Sequence, residues 1–184
     1  MGPGNMTETH SAHLSDQVTD ELVSDVRHET FRITRDLEAD RAAAFAAFAD
    51  DRVRRRWFRI PGKGATYDHD FRISGGEDAR STFVMPDGAT ERLRNRSRYL
   101  DIVPNRFIVF VYEAIVDDVT RWVSLVTVAF EDAESGGSTL TWTEQVTFLT
   151  RTGDGSADLP HLRTGTTLRL NGLPTAIEAE RSGR

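Results

Sequence analysis

The chain has 184 residues, a length that suits one domain with a sizeable core and a terminal tail. Its net charge of −6 argues against a general nucleic-acid binder, which needs a basic face. The sequence has no cysteine, which excludes disulfides and thiol catalysis. It also lacks an apolar run of about 18 residues, so no membrane-spanning helix is predicted. No signal peptide is recognised, and the expected compartment is the cytoplasm.

Residues 1–26 are expected to form a mobile leader, and residues 27–184 a single domain. We interpret residues 1–5 as a cloning remnant, with Met6 as the native start. The leader is polar and acidic, as is typical of a terminus with few anchors. Its two histidines belong to a set of five without ligand spacing, so no metal site is predicted.

The next residues predict a strand and two short helices. Residues 29–37 alternate between apolar and polar side chains, which indicates a strand. Asp40 can cap an alanine-rich helix over residues 41–50. The pair Asp50–Asp51 then marks the start of a second helix that ends in Trp57 and Phe58. The arginines of this helix are interpreted as a solvated face, with a phosphate site as the minority alternative; they are Arg52, Arg54, Arg55 and Arg56.

From residue 65 the pattern has a period of two, which predicts antiparallel strands separated by turns. One strand, over residues 91–100, places four arginines on one face: Arg92, Arg94, Arg96 and Arg98. This face is expected to meet water, with Asp68 and Asp70 as cross-strand partners. The opposite face carries Asn95 and Ser97. These small polar residues suit either a partly hydrated cavity or hydrogen bonding to neighbouring loops.

A strand over residues 139–149 has one apolar face and one threonine-rich face, and Glu144 interrupts the apolar face. A carboxylate that faces a core must be paired, protonated or hydrated. Glu144 therefore either reaches solvent at a strand end or bulge, or points into a cavity that the sheet covers. Residues 161–180 predict a C-terminal helix, which Gly172 and Pro174 should kink or end.

An ordered set of segments gives this chain a family resemblance over residues 28–178. The segments are Phe31–Leu37 and the alanine/phenylalanine helix that ends near Trp57, the run Tyr99-Leu100-Asp101-Ile102-Val103-Pro104-Asn105, the strand Ser124–Phe130, and Thr143-Glu144-Gln145 followed by Phe148-Leu149. Together they resemble the activator of heat-shock protein 90 ATPase-like branch of the SRPBCC (START/Bet v-like) superfamily. The resemblance implies an α+β helix-grip fold, in which a curved antiparallel sheet wraps around a long C-terminal helix with a cavity between them.

Three functions are compatible with this resemblance. The favoured one is binding of a small hydrophobic or aromatic molecule, without a cofactor, in a cavity with this expected lining: Trp57, Phe58, His69, Phe71, Asn95, Ser97, Tyr99, Phe110, Trp142, Glu144 and Leu168. The second is a polyketide cyclase/dehydratase-like enzyme, with His69 or Glu144 as base and Tyr99 as proton donor. The third is a chaperone ATPase-activator-like interaction protein. A homodimer is also left open.

Overall fold

The computed structural model describes residues 26–134 and 136–183, and the predictions for residues 1–25 lie outside this part of the chain. The strands are β1 (Arg27–Leu37), β2 (Lys63–His69), β3 (Glu77–Val84), β4 (Thr90–Val103), β5 (Phe107–Val116), β6 (Val119–Asp132) and β7 (Ser138–Phe148). The helices are α1 (Arg41–Ala49), α2 (Asp51–Trp57), α3 (Asp158–Asn171) and α4 (Leu173–Ser182). Within the described residues, no helix is both long enough and apolar enough to cross a bilayer.

The seven strands form one antiparallel sheet in the order β1-β7-β6-β5-β4-β3-β2. The first and last long strands of the chain are thus neighbours, with Phe31 of β1 opposite Glu144 of β7. Helix α3 packs on β1, while α4 packs on α1 and α2. The predicted α+β helix-grip fold is confirmed. The C-terminal helix is divided at Gly172, as the glycine and Pro174 predicted.

Two aspartates set the boundaries of the short helices. The Asp40 side chain accepts a hydrogen bond from the Ala43 backbone N–H at 2.8 Å and caps α1. Asp50 ends α1 and caps α2, because its Oδ1 accepts from the backbone N–H groups of Arg52 and Val53. A side-chain oxygen at this position satisfies N–H groups that the first turn leaves unpaired. The predicted start of the second helix at Asp50–Asp51 is therefore confirmed.

Two of the turns between strands depend on particular residues. Asp117 and Asp118 have φ values of 49° and 66° and join β5 to β6 in a two-residue loop. Positive φ at both positions matches the right-handed twist of the flanking strands. Before β3, Gly76 must be glycine because a Cβ atom there would lie 2.0 Å from the Ser97 carbonyl oxygen.

The sheet has an inner face, which packs against the helices, and an outer face. Alternate residues of β5, β6 and β7 are buried on the inner face, and Phe45 and Phe48 of α1 join them in the core. On β4, Asn95 and Tyr99 point inward, as predicted.

The arginines of β4 lie on the outer face, also as predicted, but their partners differ from the prediction. Arg94 Nε donates to Asp78 at 3.0 Å, and Arg96 Nε donates to Glu113 at 2.9 Å. Asp68 and Asp70 were the wrong partners because β2 lies one strand beyond β3, the immediate neighbour of β4. Cross-strand pairs form between adjacent strands.

Candidate ligand-binding interior

Two hydrogen-bonded networks lie between the inner face of the sheet and the helices, a region that we call the interior. One network surrounds Glu144 on β5, β6 and β7. The other surrounds Arg54 of α2 and Glu77 of β3. A series of aromatic rings connects the two networks.

The Glu144 side chain is fully buried, with 0% of its surface exposed. Its Oε1 accepts hydrogen bonds from Tyr112 Oη at 2.6 Å and Ser124 Oγ at 2.7 Å. Its Oε2 accepts from Trp142 Nε1 at 2.9 Å. Trp122 Nε1 donates in turn to Tyr112 Oη at 3.1 Å. Neighbouring strands supply these partners because Glu144, Tyr112 and Ser124 share the inner face.

The alternative in which Glu144 reaches solvent is wrong, because inner-face side chains enclose the carboxyl. Burial raises the pKa of Glu144 above its ordinary value, although the hydrogen bonds from Tyr112, Ser124 and Trp142 oppose this effect. Burial also raises the pKa of Tyr112, and the adjacent Glu144 adds to the shift. Tyr112 therefore remains a protonated donor at neutral pH.

Arg54 makes the second network, and its burial contradicts the solvated role that the sequence suggested. Only 2% of the residue is exposed. Its Nε and Nη2 donate to the two carboxylate oxygens of Glu77 at 2.6 and 2.9 Å. The guanidinium carbon lies 4.2 Å from the ring centroid of Trp57 and 4.3 Å from that of Phe58. A bidentate pair stacked between rings is the geometry that arginine, unlike lysine, can adopt.

Burial opposes the charged form of both partners, but their mutual attraction prevails. The pKa of Glu77 is lowered: burial raises it, and the Arg54 charge and hydrogen bonds more than offset that effect. The pKa of Arg54 is raised by Glu77 against the opposing effect of burial. Tyr67 also donates a hydrogen bond to Glu77. The pair is therefore ionised within the interior.

His69 connects this network to the protein surface. Its Nε2 lies 3.0 Å from Tyr99 Oη, and its Nδ1 lies 3.4 Å from a carboxylate oxygen of Asp51. Burial lowers the pKa of His69, which favours the neutral imidazole. Burial also raises the pKa of Tyr99, and the neighbouring Glu77 charge adds to the shift. His69 and Tyr99 are thus held as a neutral base beside a protonated phenol.

Seven aromatic rings, which we call the ring chain, run from α2 to β7. Successive centroids are 5.6 to 6.4 Å apart, within the range for favourable aromatic pairs. In order, the rings are Trp57, Phe58, Tyr67, His69, Tyr99, Phe110 and Trp142. The ring chain gives the interior an apolar wall between the two polar networks.

The outer face carries two open grooves. One crosses β1, β7, β6 and β5 and is lined by Thr30, Gln145, Leu125 and Val111, among others. The second lies beside the turn before β3 and shares Val111 with the first. These grooves are alternatives to the interior as places where a small molecule could bind.

Comparison with known proteins places this fold in a family. The family model "Activator of Hsp90 ATPase homolog 1-like protein" matches residues 38–178. The chain belongs to this family. An uncharacterized protein from Rhizobium leguminosarum is 36% identical to it, with a TM-score of 0.71 over 84% of this chain and 97% of the other. No curated protein matches the chain significantly.

Further solved structures resemble this chain. The Mll3558 protein from Rhizobium loti is 34% identical, with a TM-score of 0.69 over 82% of this chain and 98% of its own. The protein SA2116 from Staphylococcus aureus has a TM-score of 0.66 over 86% of this chain and 99% of its own. At 12% identity, the latter shows the shared fold alone.

The lining that the sequence predicted for this family member lies in the interior, with the exception of Leu168. That residue is 65% exposed. The buried face of α3 instead carries Leu162, Thr166 and Leu170, at a spacing of four residues. Leu168 follows Thr166 by two positions, which places it on the opposite side of the helix. The apolar character of its side chain suggested the wrong face.

Several polar residues of the interior were missed by the sequence reasoning: Arg54, Glu77, Tyr112, Ser124 and Arg169. Strand periodicity could have placed two of them on the inner face. Tyr112 is two residues from Phe110, and Glu77 is two residues from Ala79. Helical spacing could have found Arg54, which lies three and four residues before Trp57 and Phe58. Charged side chains are usually exposed, and for this reason the sequence analysis placed Arg54 on a solvated face.

Proposed function

We propose that this protein binds a small hydrophobic or aromatic molecule in the interior, between the sheet and the C-terminal helices. Proteins of this fold typically bind hydrophobic ligands. The observation that carries the proposal is the ring chain, which provides an extended aromatic wall with polar groups at both ends. Ligand sites generally combine mostly apolar walls with a few well-placed polar groups.

Small side chains on the inner face support the same location. Ala79, Asn95 and Ala114 are direct neighbours across β3, β4 and β5. We call these three residues the small-residue floor. They occupy less space than the aromatic residues of the ring chain beside them. A flat ligand would lie over this floor and against the rings.

Acid–base catalysis is a second candidate because of the arrangement around His69. A neutral imidazole in contact with Tyr99 and Asp51 resembles a base with an orienting carboxylate and a nearby proton donor. In this alternative His69 accepts a proton from a bound substrate and Tyr99 donates one. His69→Gln should then abolish turnover of an aromatic polyketide substrate while the protein still binds it. A variant with unchanged turnover would exclude this role.

The binding proposal can be tested with N-phenyl-1-naphthylamine, a neutral probe whose fluorescence rises in apolar surroundings. Ala114→Phe adds a ring to the small-residue floor and should weaken the affinity for the probe at least about tenfold, a change of about 1.4 kcal/mol. The matched control is Val111→Phe on the same strand. Val111 lies on the outer face and lines both grooves, so this variant should leave the affinity within about twofold.

The opposite pattern would place the probe in an outer groove and contradict the proposal. The same conclusion would follow if the folded wild-type protein bound no probe. Overpacking at Ala114 costs about 1–3 kcal/mol of stability. Urea melts of both variants therefore establish that binding is compared between folded proteins.

A further inference from the structure

Arg54 has a buried nitrogen without a partner. Glu77 accepts hydrogen bonds from Nε and Nη2, whereas Nη1 has no hydrogen-bond partner among the described residues. Leaving a buried donor unpaired costs the desolvation of that group. An unpaired donor on a charged guanidinium is an exception that calls for an explanation.

Arg169 of α3 is a second cation directed at the same region. Its guanidinium carbon lies 5.2 Å from the ring centroid of Phe58, the ring that Arg54 also approaches. Among residues 26–134 and 136–183, no side chain makes an ion pair or hydrogen bond with the Arg169 guanidinium. The residue is partly exposed. It therefore stands between the interior and the solvent.

The carboxyls near Arg169 do not balance its charge fully. Glu77 is already bound to Arg54. Glu144 is a weaker counter-ion because burial favours its neutral form. Burial lowers the pKa of Arg169, and repulsion from Arg54 adds to this effect while Tyr112, Glu144 and Glu77 oppose it. A negatively charged group placed between the two arginines would relieve this repulsion.

The small-residue floor supplies one more polar group. Asn95 is 9% exposed and lies on the inner face. Ala79 and Ala114 flank it on the adjacent strands. The Asn95 amide therefore offers a neutral donor on the inner face, in the same sheet region as Glu77, the partner of Arg54.

We propose that the ligand of the interior carries an anionic head group, such as a carboxylate or sulfonate, which binds between Arg54 Nη1 and the guanidinium of Arg169. Its apolar part lies along the ring chain towards Trp142. This assignment rests on the proposed ligand-binding function and narrows it to amphipathic organic acids. Guanidinium groups are well suited to this role because they donate charge-assisted hydrogen bonds to planar or tetrahedral anions.

Two related fluorescent probes test the assignment. The compound 8-anilinonaphthalene-1-sulfonate is N-phenyl-1-naphthylamine with an added sulfonate group. The wild-type protein should bind the sulfonate at least about tenfold more tightly than the neutral probe, because charge-assisted hydrogen bonds are strong in a buried site. Arg169→Gln should remove this preference, so that both probes bind with similar Kd values. Arg163→Gln, at an exposed position of α3, should keep the preference.

A second variant examines Arg54 without leaving a buried charge unpaired. Arg54→Gln with Glu77→Gln removes both members of the ion pair and should also reduce the preference for the sulfonate. Arg169→Lys keeps the charge but loses the fork-shaped donor, and should retain part of the preference. Melting curves with each variant confirm that folded proteins are compared.

The outcomes separate the two proposals. Equal affinity of the wild-type protein for both probes, or a preference that survives Arg169→Gln, would overturn the anionic head group. If Ala114→Phe still weakened the affinity for the neutral probe in that case, the ligand-binding function would stand. A folded wild-type protein that bound neither probe would overturn both proposals.

Discussion

Arg54 and Arg96 hold carboxylates on opposite sides of the same sheet. Arg54 faces the interior, is 2% exposed and pairs with Glu77 between aromatic rings. The Arg96 side chain lies on the outer face, is 51% exposed and pairs with Glu113. Both contacts are salt bridges between an arginine and a glutamate. Their surroundings differ, and the surroundings decide what each contact contributes.

Water screens the outer pair, so its net contribution to stability is small. The inner pair is buried, so removing either partner leaves the other charge unpaired and away from water. This loss is strongly destabilising. The inner arginine is therefore the one that can define a site. The outer arginines Arg94 and Arg96 give the exposed face of β4 a hydrated, charged surface and pair with carboxylates on the adjacent strands.

The largest expected effect is on the inner pair. Arg54→Met should lower the free energy of unfolding by about 3–5 kcal/mol, because Glu77 is left buried without its counter-ion. Urea denaturation measures this change. Arg54→Met combined with Glu77→Leu should recover much of the loss, since an apolar pair can replace a buried ion pair. A loss below about 1 kcal/mol in the single variant would mean that the pair behaves like a surface contact.

Glu144 extends the comparison to a second inner-face carboxyl. Glu144→Gln should cost about 1–3 kcal/mol at acidic pH, because the amide nitrogen that replaces Oε2 cannot accept the hydrogen bond from Trp142 Nε1. The cost should shrink as the pH rises to 8. Urea melts of both proteins at several pH values measure the difference.

The sign follows from the raised pKa of Glu144. The folded protein holds this proton more tightly than the unfolded chain, so the stabilisation is complete below the unfolded pKa. It is lost as the pH rises through the folded pKa. Shifts at His69 and Glu77 are common to both proteins and cancel in the comparison to first order. The pKa of Tyr112 depends on Glu144, but burial alone raises it, so Tyr112 stays protonated in both proteins over this pH range. A difference that stayed constant with pH would show that Glu144 is ionised throughout.

The smallest effect is expected at the outer face. Arg96→Ala should change the free energy of unfolding by less than about 1 kcal/mol, because the pair with Glu113 is exposed. The measurement is the same urea denaturation used for Arg54. A loss above about 2 kcal/mol would remove the distinction between the two faces.

The sequence predicted the features that depend on local chemistry. Asp50 caps α2, and Gly172 divides the C-terminal helix, because caps and helix breaks involve residues close in sequence. Strand periodicity also placed Asn95, Tyr99 and Glu144 on the inner face. The α+β helix-grip prediction itself came from the family resemblance.

The errors concern contacts between distant segments. Asp68 was paired with β4 because strand order is not visible in the spacing of residues. Leu168 was assigned to the interior by its apolar side chain, whereas the position of α3 determines which face is buried. Arg54 was assigned to solvent because its partner, Glu77, lies 23 residues away along the chain. The contacts of the interior network could therefore be identified only from the structure.

The central claim is that the interior, and not an outer groove, binds the ligand. The indole N–H groups of Trp57, Trp122 and Trp142 all hydrogen-bond to inner-face or helix partners. Their signals in a ¹H–¹⁵N correlation spectrum can be followed as 8-anilinonaphthalene-1-sulfonate is added. The account predicts saturable shifts of the Trp57 and Trp142 indole signals. It predicts only small changes at the backbone amides of Leu125 and Gln145, which line the first outer groove. Shifts confined to Leu125 and Gln145, with all three indole signals unmoved, would contradict it.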